Sequence, residues 1–451
     1  MKRLRPALRI SSAALGGALG AAYLSACSFF PIDPMHEQTS GGSSAGLTAS
    51  GGLGAPECGN GVKEGTEECD GEDFGDGDCV SDESDAGKLT CTLECQVDDS
   101  ACFDLPDELE GTWAYRKPIT IAPGTVLSDL NMFPVLVTID DPEFFEHARA
   151  DGRDVVFADV DGKDLPYERE LYDPVAHRFA AWVLLPVLRS IPATTFHVYY
   201  GSSSSSDHSV SAQVFSYGFE AVWHLSEATQ DELDTGTSFD STGHGHQGAQ
   251  RGNQQAVGKI ASGQAFDGVD DEIVVSKPTT VVLGQADYTV SAWVRTSSAG
   301  SMGVVIKSDP YQHEDGDKLF GLNHNEVGEV GVDHGWVGFL GTNGAAANGA
   351  WHHLVWVQDH DEVTKRSVWT LYVDGQLIAL KSDMATKLDK PHHTLRLGGR
   401  SESSNFSGFF AGRLDEVRIS HFVRDEAWIG ASYLSQNDPE NFAQVGAEQP
   451  L

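Results

Sequence analysis

From residue 288 onward the chain repeats one pattern: short runs with an apolar residue at every second position, closed by glycine or aspartate. In "YTVSAWVRT", Val290, Ala292 and Val294 alternate with Thr289, Ser291, Trp293 and Arg295. "WHHLVWVQD", "RSVWTLYVDGQLIAL", "HTLRLGGR" and "FFAGRLDEVRIS" continue the series. A period of two belongs to half-buried strands. Asp374-Gly375, lying between two such runs, is the signal of a two-residue hairpin. The 49 glycines and a charged content of only 22% fit turn-rich β structure. Ten or more strands in about 230 residues exceed one small sandwich and predict a two-sheet jelly roll over 214–446. "VRDEAWIGASYL" reads as a short helix capped by Asp425.

Upstream, "RKPITIAP", "FPVLVTID", "DVVFAD", "LPYEREL", "RFAAWVLLPV" and "TTFHVYYG" are six β-rich runs separated by Gly, Asp and Pro turns. They predict an antiparallel β-sandwich over 107–209. Glu168 and Glu170 fall two apart on one such run, so they share a face, with carboxylates about 7 Å apart. Because nothing adjacent supplies a sugar-stacking aromatic or a means of raising one pKa, they are expected to form an exposed polar face.

The N-terminus carries Lys2, Arg3, Arg5 and Arg9, then an uncharged stretch, Ile10 to Tyr23, too short to span a membrane. It ends in Leu24-Ser25-Ala26-Cys27, which resembles the lipobox of bacterial lipoproteins. That resemblance implies a signal peptide over 1–26, lipidation of Cys27 and membrane attachment by a lipid anchor. Ser28 in place of Asp implies passage to the outer membrane, and hence a cell-envelope location. Residues 27–57 contain a Gly/Ser-rich tether. Gly42-Ser43-Ser44-Ala45-Gly46 matches a hydrolase elbow only formally, because no strand or helix flanks it. The net charge of −37 excludes a nucleic-acid partner, which needs a basic footprint.

Six cysteines, Cys58, Cys69, Cys79, Cys91, Cys95 and Cys102, crowd into 58–103. In an exported segment they read as three disulfides of undetermined pairing. "CGNGVKEGTEECDGEDFGDGDC" resembles the myxobacterial-type cysteine-rich repeat, although the spacing departs from it after Cys79. The acids between these cysteines could hold Ca²⁺ through their oxygens, but they fit no EF-hand frame, and a solvated acidic knob is the favoured reading.

Two further resemblances cover the β regions. "WAYR", "FPVLV", "DVVF", "LPYE" and "VYYG" together resemble a bacterial domain of unknown function found beside LamG domains and in ExbB/TolQ-type proteins. Trp223-His224-Leu225, Phe239-Asp240-Ser241, "AFDGVDD", "VSAWV", "WHHL", "LYVDG", "LGG" and "GRLDEVRI", in that order, resemble the LamG or concanavalin A-like lectin/glucanase superfamily. The fold class is therefore all-β: a disulfide-rich module, an antiparallel sandwich, then a concanavalin A-like jelly roll.

That superfamily includes glucanases, whose catalytic strand carries three alternating acids. Glu232-Leu233-Asp234 lacks the third, and Asp415-Glu416, as adjacent strand residues, are expected to point to opposite faces. No catalytic residue is assigned, and the chain reads as a non-enzyme. The resemblance instead implies a structural Ca²⁺ where the domain's beginning meets its last strand. Asp415 is its foremost ligand, with Asp240 and Glu227 as partners and Asp270 and Asp271 as weaker choices. An ordinary salt bridge of Asp415 to Arg413 or Arg418 is the alternative. Zinc is not expected: His352-His353 and His392-His393 are adjacent pairs that diverge, His244 and His246 lie in a Gly-rich loop, and no H-E-x-x-H occurs. His353 reads as a packed residue.

For a glycan, Tyr311 and Trp336, in "SDPYQHEDGDK" and "DHGWVGF", are the candidate platform residues, with Phe320 and Trp356 also available. The sequence thus describes a lipid-anchored surface protein displaying a domain that binds glycan or a surface protein. The alternatives are a structural envelope component and a polysaccharide hydrolase.

Overall fold

A computed structural model describes residues 112–451, apart from 204–205, 216, 230–235, 276–279, 310–316, 326, 336–338, 342–345, 389, 391–392 and 401–405. It also describes 63, 68–69, 89–92 and 95–99. All of these belong to one unit, 55–451. Cys27, Cys58, Cys79, Cys102, Tyr311 and Trp336 lie outside the described residues.

In the cysteine-rich segment, Cys69 and Cys91 form a disulfide with Cα atoms 5.8 Å apart, and Cys95 is also disulfide-bonded. The short strands Thr90–Cys91 and Val97–Asp98 pair antiparallel beside it.

The six runs of the middle region form two sheets. One joins Leu130–Ile139, Arg178–Leu188 and Tyr167–Asp173. The other joins Tyr115–Ile121, Thr194–Tyr200, Val156–Asp159 and Asp164–Leu165. The edge of the second sheet is completed by the end of the chain: Gln444–Val445 and Gln449–Pro450 both pair with Tyr115–Ile121. The jelly roll expected to extend to 446 therefore gives up its last residues to the neighbouring sheet.

The roll itself is two eight-stranded antiparallel sheets. The first is centred on Ala411–Ser420, flanked by Ser262–Asp267 and Tyr288–Arg295, with Phe219–Trp223 paired to its far half. The second holds Thr394–Leu397 and Met302–Ser308 at its centre, with Lys318–Leu322 and Val330–Asp333 following toward one edge. Val290, Ala292 and Val294 point into the core between the sheets, as their spacing requires, alongside Phe320 and Trp356. Those two rings are therefore unavailable as a sugar platform. The hairpin forms at Asp374 and Gly375, whose φ values of 52° and 75° suit the turn that matches strand twist.

Helix Glu426–Asn437 begins where Asp425 accepts a hydrogen bond from Trp428 N at 2.7 Å. It lies against the first sheet of the roll and also reaches the middle region. Trp428 packs edge-on to Phe133 at 4.9 Å, while Trp293 of the roll donates to Gln436 at 2.6 Å. Phe219, Val222, Ile260, Trp428, Ala431 and Phe442 all join the hydrophobic core of the middle sandwich. At about 1.5–3 kcal/mol for each large buried side chain, this joint binds the two β regions firmly.

Candidate functional site

Polar side chains gather at the same joint, and the carboxylates noticed in sequence are among them. In Ala411–Ser420 the core-facing residues are Leu414, Val417 and Ile419. The first gap is three residues and the second two, so the alternation slips once. The pairing with Tyr288–Arg295 shifts at the same place, and Glu416 has φ of 49°. This is a β-bulge. It turns Asp415, Glu416 and Arg418 to one face, so the expectation that Asp415 and Glu416 oppose each other is corrected.

Both acids are fully buried. Glu416 Oε1 lies 2.7 Å from His224 Nδ1, and its Oε2 accepts from Arg418 Nη2 at 2.6 Å and Nε at 3.1 Å. The other His224 nitrogen, Nε2, is 3.2 Å from Glu168, which also accepts from Ser241 at 2.9 Å. Glu170 accepts from Trp182 Nε1 at 2.6 Å and lies 3.7 Å from His224 Nδ1. The Arg418 guanidinium covers the Trp182 ring at 4.1 Å. Glu168 and Glu170 do share a partner, but not on an exposed face: their side chains are 16% and 1% exposed. The strand carrying them is bulged between Arg169 and Leu171.

The burial is electrically balanced. Desolvation opposes ionisation of Glu416, but His224 and Arg418 outweigh it and hold its pKa at about 2. Desolvation likewise opposes the His224 imidazolium, and Glu416, Glu168 and Glu170 overcome it, raising His224 well above the ordinary value. Glu170 is pushed up to about 8 by burial and then by the Glu416 charge. Asp415 is driven well above the usual carboxyl range, again by burial first and then Glu416. The ionised Glu416 thus faces His224 and Arg418, while burial and the Glu416 charge favour the protonated forms of Glu170 and Asp415.

Asp415 forms neither of the salt bridges considered for it. Its Oδ2 accepts from the backbone of Lys259 at 2.6 Å and Ile260 at 2.9 Å, and its Oδ1 from Glu416 N at 3.0 Å. Arg418 goes to Glu416, and Arg413 donates to the Val257 carbonyl. Asp415 therefore pins an early turn of the domain to its last strand through hydrogen bonds.

The other residues named for calcium are spent in similar ways. Asp240 accepts from Val222 N, Thr242 N and His246 N at 3.0–3.1 Å. Glu227 accepts from Phe239 N at 2.6 Å. Asp415, Asp240 and Glu227 do not form a shared cluster. Among the described residues, three groups bring ligand atoms close enough for one ion: Glu170 with His224 and Glu416, Glu220 with His244 and His246, and Asp267 with Asp270 and Asp271. The last contains the two weaker calcium choices; there Asp267 accepts from Val269 N and Asp270 N of its own loop. His353 is packed as expected, its ring 5.2 Å from Trp293.

A cleft of about 320 Å³ opens elsewhere along the joint, lined by Thr138, Asp140, Arg178, Lys259, Asn437 and Glu440 among others. None of the four acids Glu168, Glu170, Asp415 and Glu416 lines it. The sequence signal for this site was the uneven spacing of Leu414, Val417 and Ile419. Its histidine, His224, carried no signal beyond its neighbours.

Residues 267–430 match the family model described as the concanavalin A-like lectin/glucanases superfamily. Residues 151–236 match that of the domain of unknown function DUF2341. No curated protein matches the sequence. Similar solved structures include the binding domain of Paraclostridial Mosquitocidal Protein 1, with 16% identity and a TM-score of 0.36, covering 48% of this chain and 52% of that one. Another is domain 4 of AbnA, a GH43 extracellular arabinanase from Geobacillus stearothermophilus in complex with arabinotriose, with 16% identity, a TM-score of 0.35, and 47% and 96% coverage. A third is the CBM40 of the Ruminococcus gnavus IT-sialidase bound to α2,3 sialyllactose, with 18% identity, a TM-score of 0.31, and 38% and 96% coverage. The chain carries a concanavalin A-like lectin/glucanase domain over 267–430 and a DUF2341 domain over 151–236.

Proposed function

We propose that this protein is a non-catalytic recognition protein of the cell envelope, held to the membrane by a lipid on Cys27, whose concanavalin A-like domain binds glycan chains. The observation that carries the reading is the employment of its acids. Glycoside hydrolysis uses two carboxyl groups that face the same sugar, one to donate a proton and one to act as nucleophile or base. Glu168, Glu170, Asp415 and Glu416 instead bond to His224, Trp182, Arg418 and backbone amides inside a protein joint. The match of 267–430 to a lectin/glucanase family supports the carbohydrate partner. The tetrapeptide Leu24-Ser25-Ala26-Cys27 supports the anchor.

The glycan surface is proposed over 308–318 and 333–339, with Tyr311 and Trp336 as stacking residues. Phe339, the first residue of the strand Phe339–Gly341, is half-buried and packs edge-to-face with His324 at 5.0 Å, outside the main core. A glycan array probed with the full chain, paired with a reducing-end release assay, tests the reading. The expected result is saturable binding to one glycan class, lost in Trp336→Ala, with no new reducing ends. A blank array, or release of reducing ends by the wild type, contradicts it.

A further inference from the structure

The second histidine group lies apart from the joint's charged cluster and has no part in the reading above. Glu220, on the strand Phe219–Trp223, presents its carboxylate to three imidazoles, His244 and His246 from one loop and His421 from the end of the last strand. His246 Nε2 is 2.7 Å from Glu220 Oε1; His244 Nδ1 is 3.0 Å from the Glu220 backbone carbonyl, which a bound ion would displace as its partner, and 3.7 Å from Oε2; and His421 Nε2 is 3.6 Å from Oε2. Thr280 adds a hydroxyl that donates to Glu220 and lies 2.9 Å from His246 Nε2.

The backbone is arranged to bring these rings together. Gly243 and Gly245, at φ of 83° and 85°, flank His244 and allow a turn that other residues resist. Asp240 clamps this loop to the strand by accepting from both His246 N and Val222 N. His421 follows the last strand directly, and its amide bonds to the Gly218 carbonyl. The side chains of His244 and His421 are 48% and 40% exposed, whereas Glu220 and His246 are buried. An ion could therefore enter from solvent and meet a buried carboxylate.

We propose that Glu220, His244, His246 and His421 form a Zn²⁺ site. In a tetrahedron with Zn–N and Zn–O bonds of about 2.0–2.2 Å, neighbouring ligand atoms stand about 3.3 Å apart. The separations of 3.7 and 3.6 Å from His244 and His421 to Glu220 Oε2 lie near that value, and His246 Nε2 lies 2.7 Å from the other oxygen, Oε1. Three imidazoles with one carboxylate favour zinc and its transition-metal neighbours over calcium or magnesium, which take oxygen donors. Glu220, His244 and His246 already stand within reach of one ion, and His421, 3.6 Å from Glu220 Oε2, closes the coordination by swinging in, so the ion is structural: it clips the start of the domain and its first loop to the end of the last strand. Asp240 is then a positioning residue for the loop histidines, and Thr280 is a hydrogen-bond donor to the ligating carboxylate. The H-x-H spacing of His244 and His246 was the visible trace. Glu220 and His421 lie outside that spacing, so no short motif joins the four residues.

The test uses the full chain, purified without a histidine tag and treated with chelator, then titrated with Zn²⁺ and, separately, with Co²⁺ as an absorbance probe. The expected result is one Zn²⁺ per chain, a raised Tm, and the intense visible band of tetrahedral cobalt. His244→Ala and His421→Ala alter half-exposed side chains and should fold; each should abolish the band and weaken binding at least about 10-fold. Asp240→Asn should keep the stoichiometry while weakening affinity by about 10–100-fold. Absence of stoichiometric binding overturns the proposal, as does binding that survives in the folded His244→Ala/His421→Ala double variant.

Discussion

Glu416 of the roll's last strand and His224, at the end of its first paired strand, meet at 2.7 Å beneath the middle sandwich. Glu168 from that sandwich closes on the other side of the same imidazole at 3.2 Å. One ring thus joins carboxylates from two β regions. Because all these groups are withdrawn from water, each depends on the others for compensation.

Removing one member of such a cluster leaves a charge stranded. Arg418→Met takes away a two-pronged partner of Glu416 and should cost about 3–5 kcal/mol. Adding Glu416→Gln to it should recover part of that loss, since the stranded charge is then gone. Urea denaturation of the two single variants and the double variant measures the coupling. Additive losses would show that the pair does not interact as described.

The pH dependence of stability has a definite sign. Glu416 is held at about 2, below its ordinary 4.5, so its contribution is present above about pH 4.5 and is lost as pH falls toward 2. Glu170, pushed up to about 8, acts in the opposite sense. The folded protein retains a proton that the unfolded chain releases, so stability falls as pH rises from about 4.5 to 8. His224, raised well above 6.5, adds stability that is complete below about pH 6.5 and is lost as pH rises through its folded value. Asp415, raised well above 3.8, acts in the same sense as Glu170, so melting curves should be highest near pH 4.5 and fall as pH rises above it. Glu170→Gln keeps an acceptor for Trp182 and should raise stability at pH 9 by about 1–3 kcal/mol. No gain there would show that Glu170 ionises without cost.

The shared core makes a prediction about cooperativity. Trp428 is covered by the Arg424 guanidinium at 3.8 Å and packs on Phe133 of the other region. Trp428→Ala should cost about 3–5 kcal/mol and lower the melting of both β regions together. Calorimetry resolving two independent transitions, only one of them shifted, would contradict a common core.

Much of the fold was legible because it rests on local periodicity. The hairpin at Asp374-Gly375, the helix capped by Asp425 and the core face of Val290, Ala292 and Val294 follow from rules of two and of turns. The site was less legible because it rests on exceptions to them. The bulge at Glu416 reverses the facing that alternation assigns to it, and the Glu168–His224 contact depends on how two regions pack. Likewise, Gln444–Val445 pairs with Tyr115–Ile121 across nearly the whole described chain, a contact no local pattern encodes. The glycine at 218, where a Cβ would lie 1.8 Å from the Phe422 ring, is readable only once that packing is known.

The central claim is that the acids serve the joint rather than a reaction, and Glu168→Gln tests it most directly. Its Tm and its activity on the polysaccharide selected by the glycan array should be measured beside those of the wild type. The account predicts a lowered Tm, unchanged glycan affinity below the melting range, and no hydrolysis by either protein. Hydrolysis by the wild type that Glu168→Gln abolishes at unchanged Tm would contradict it.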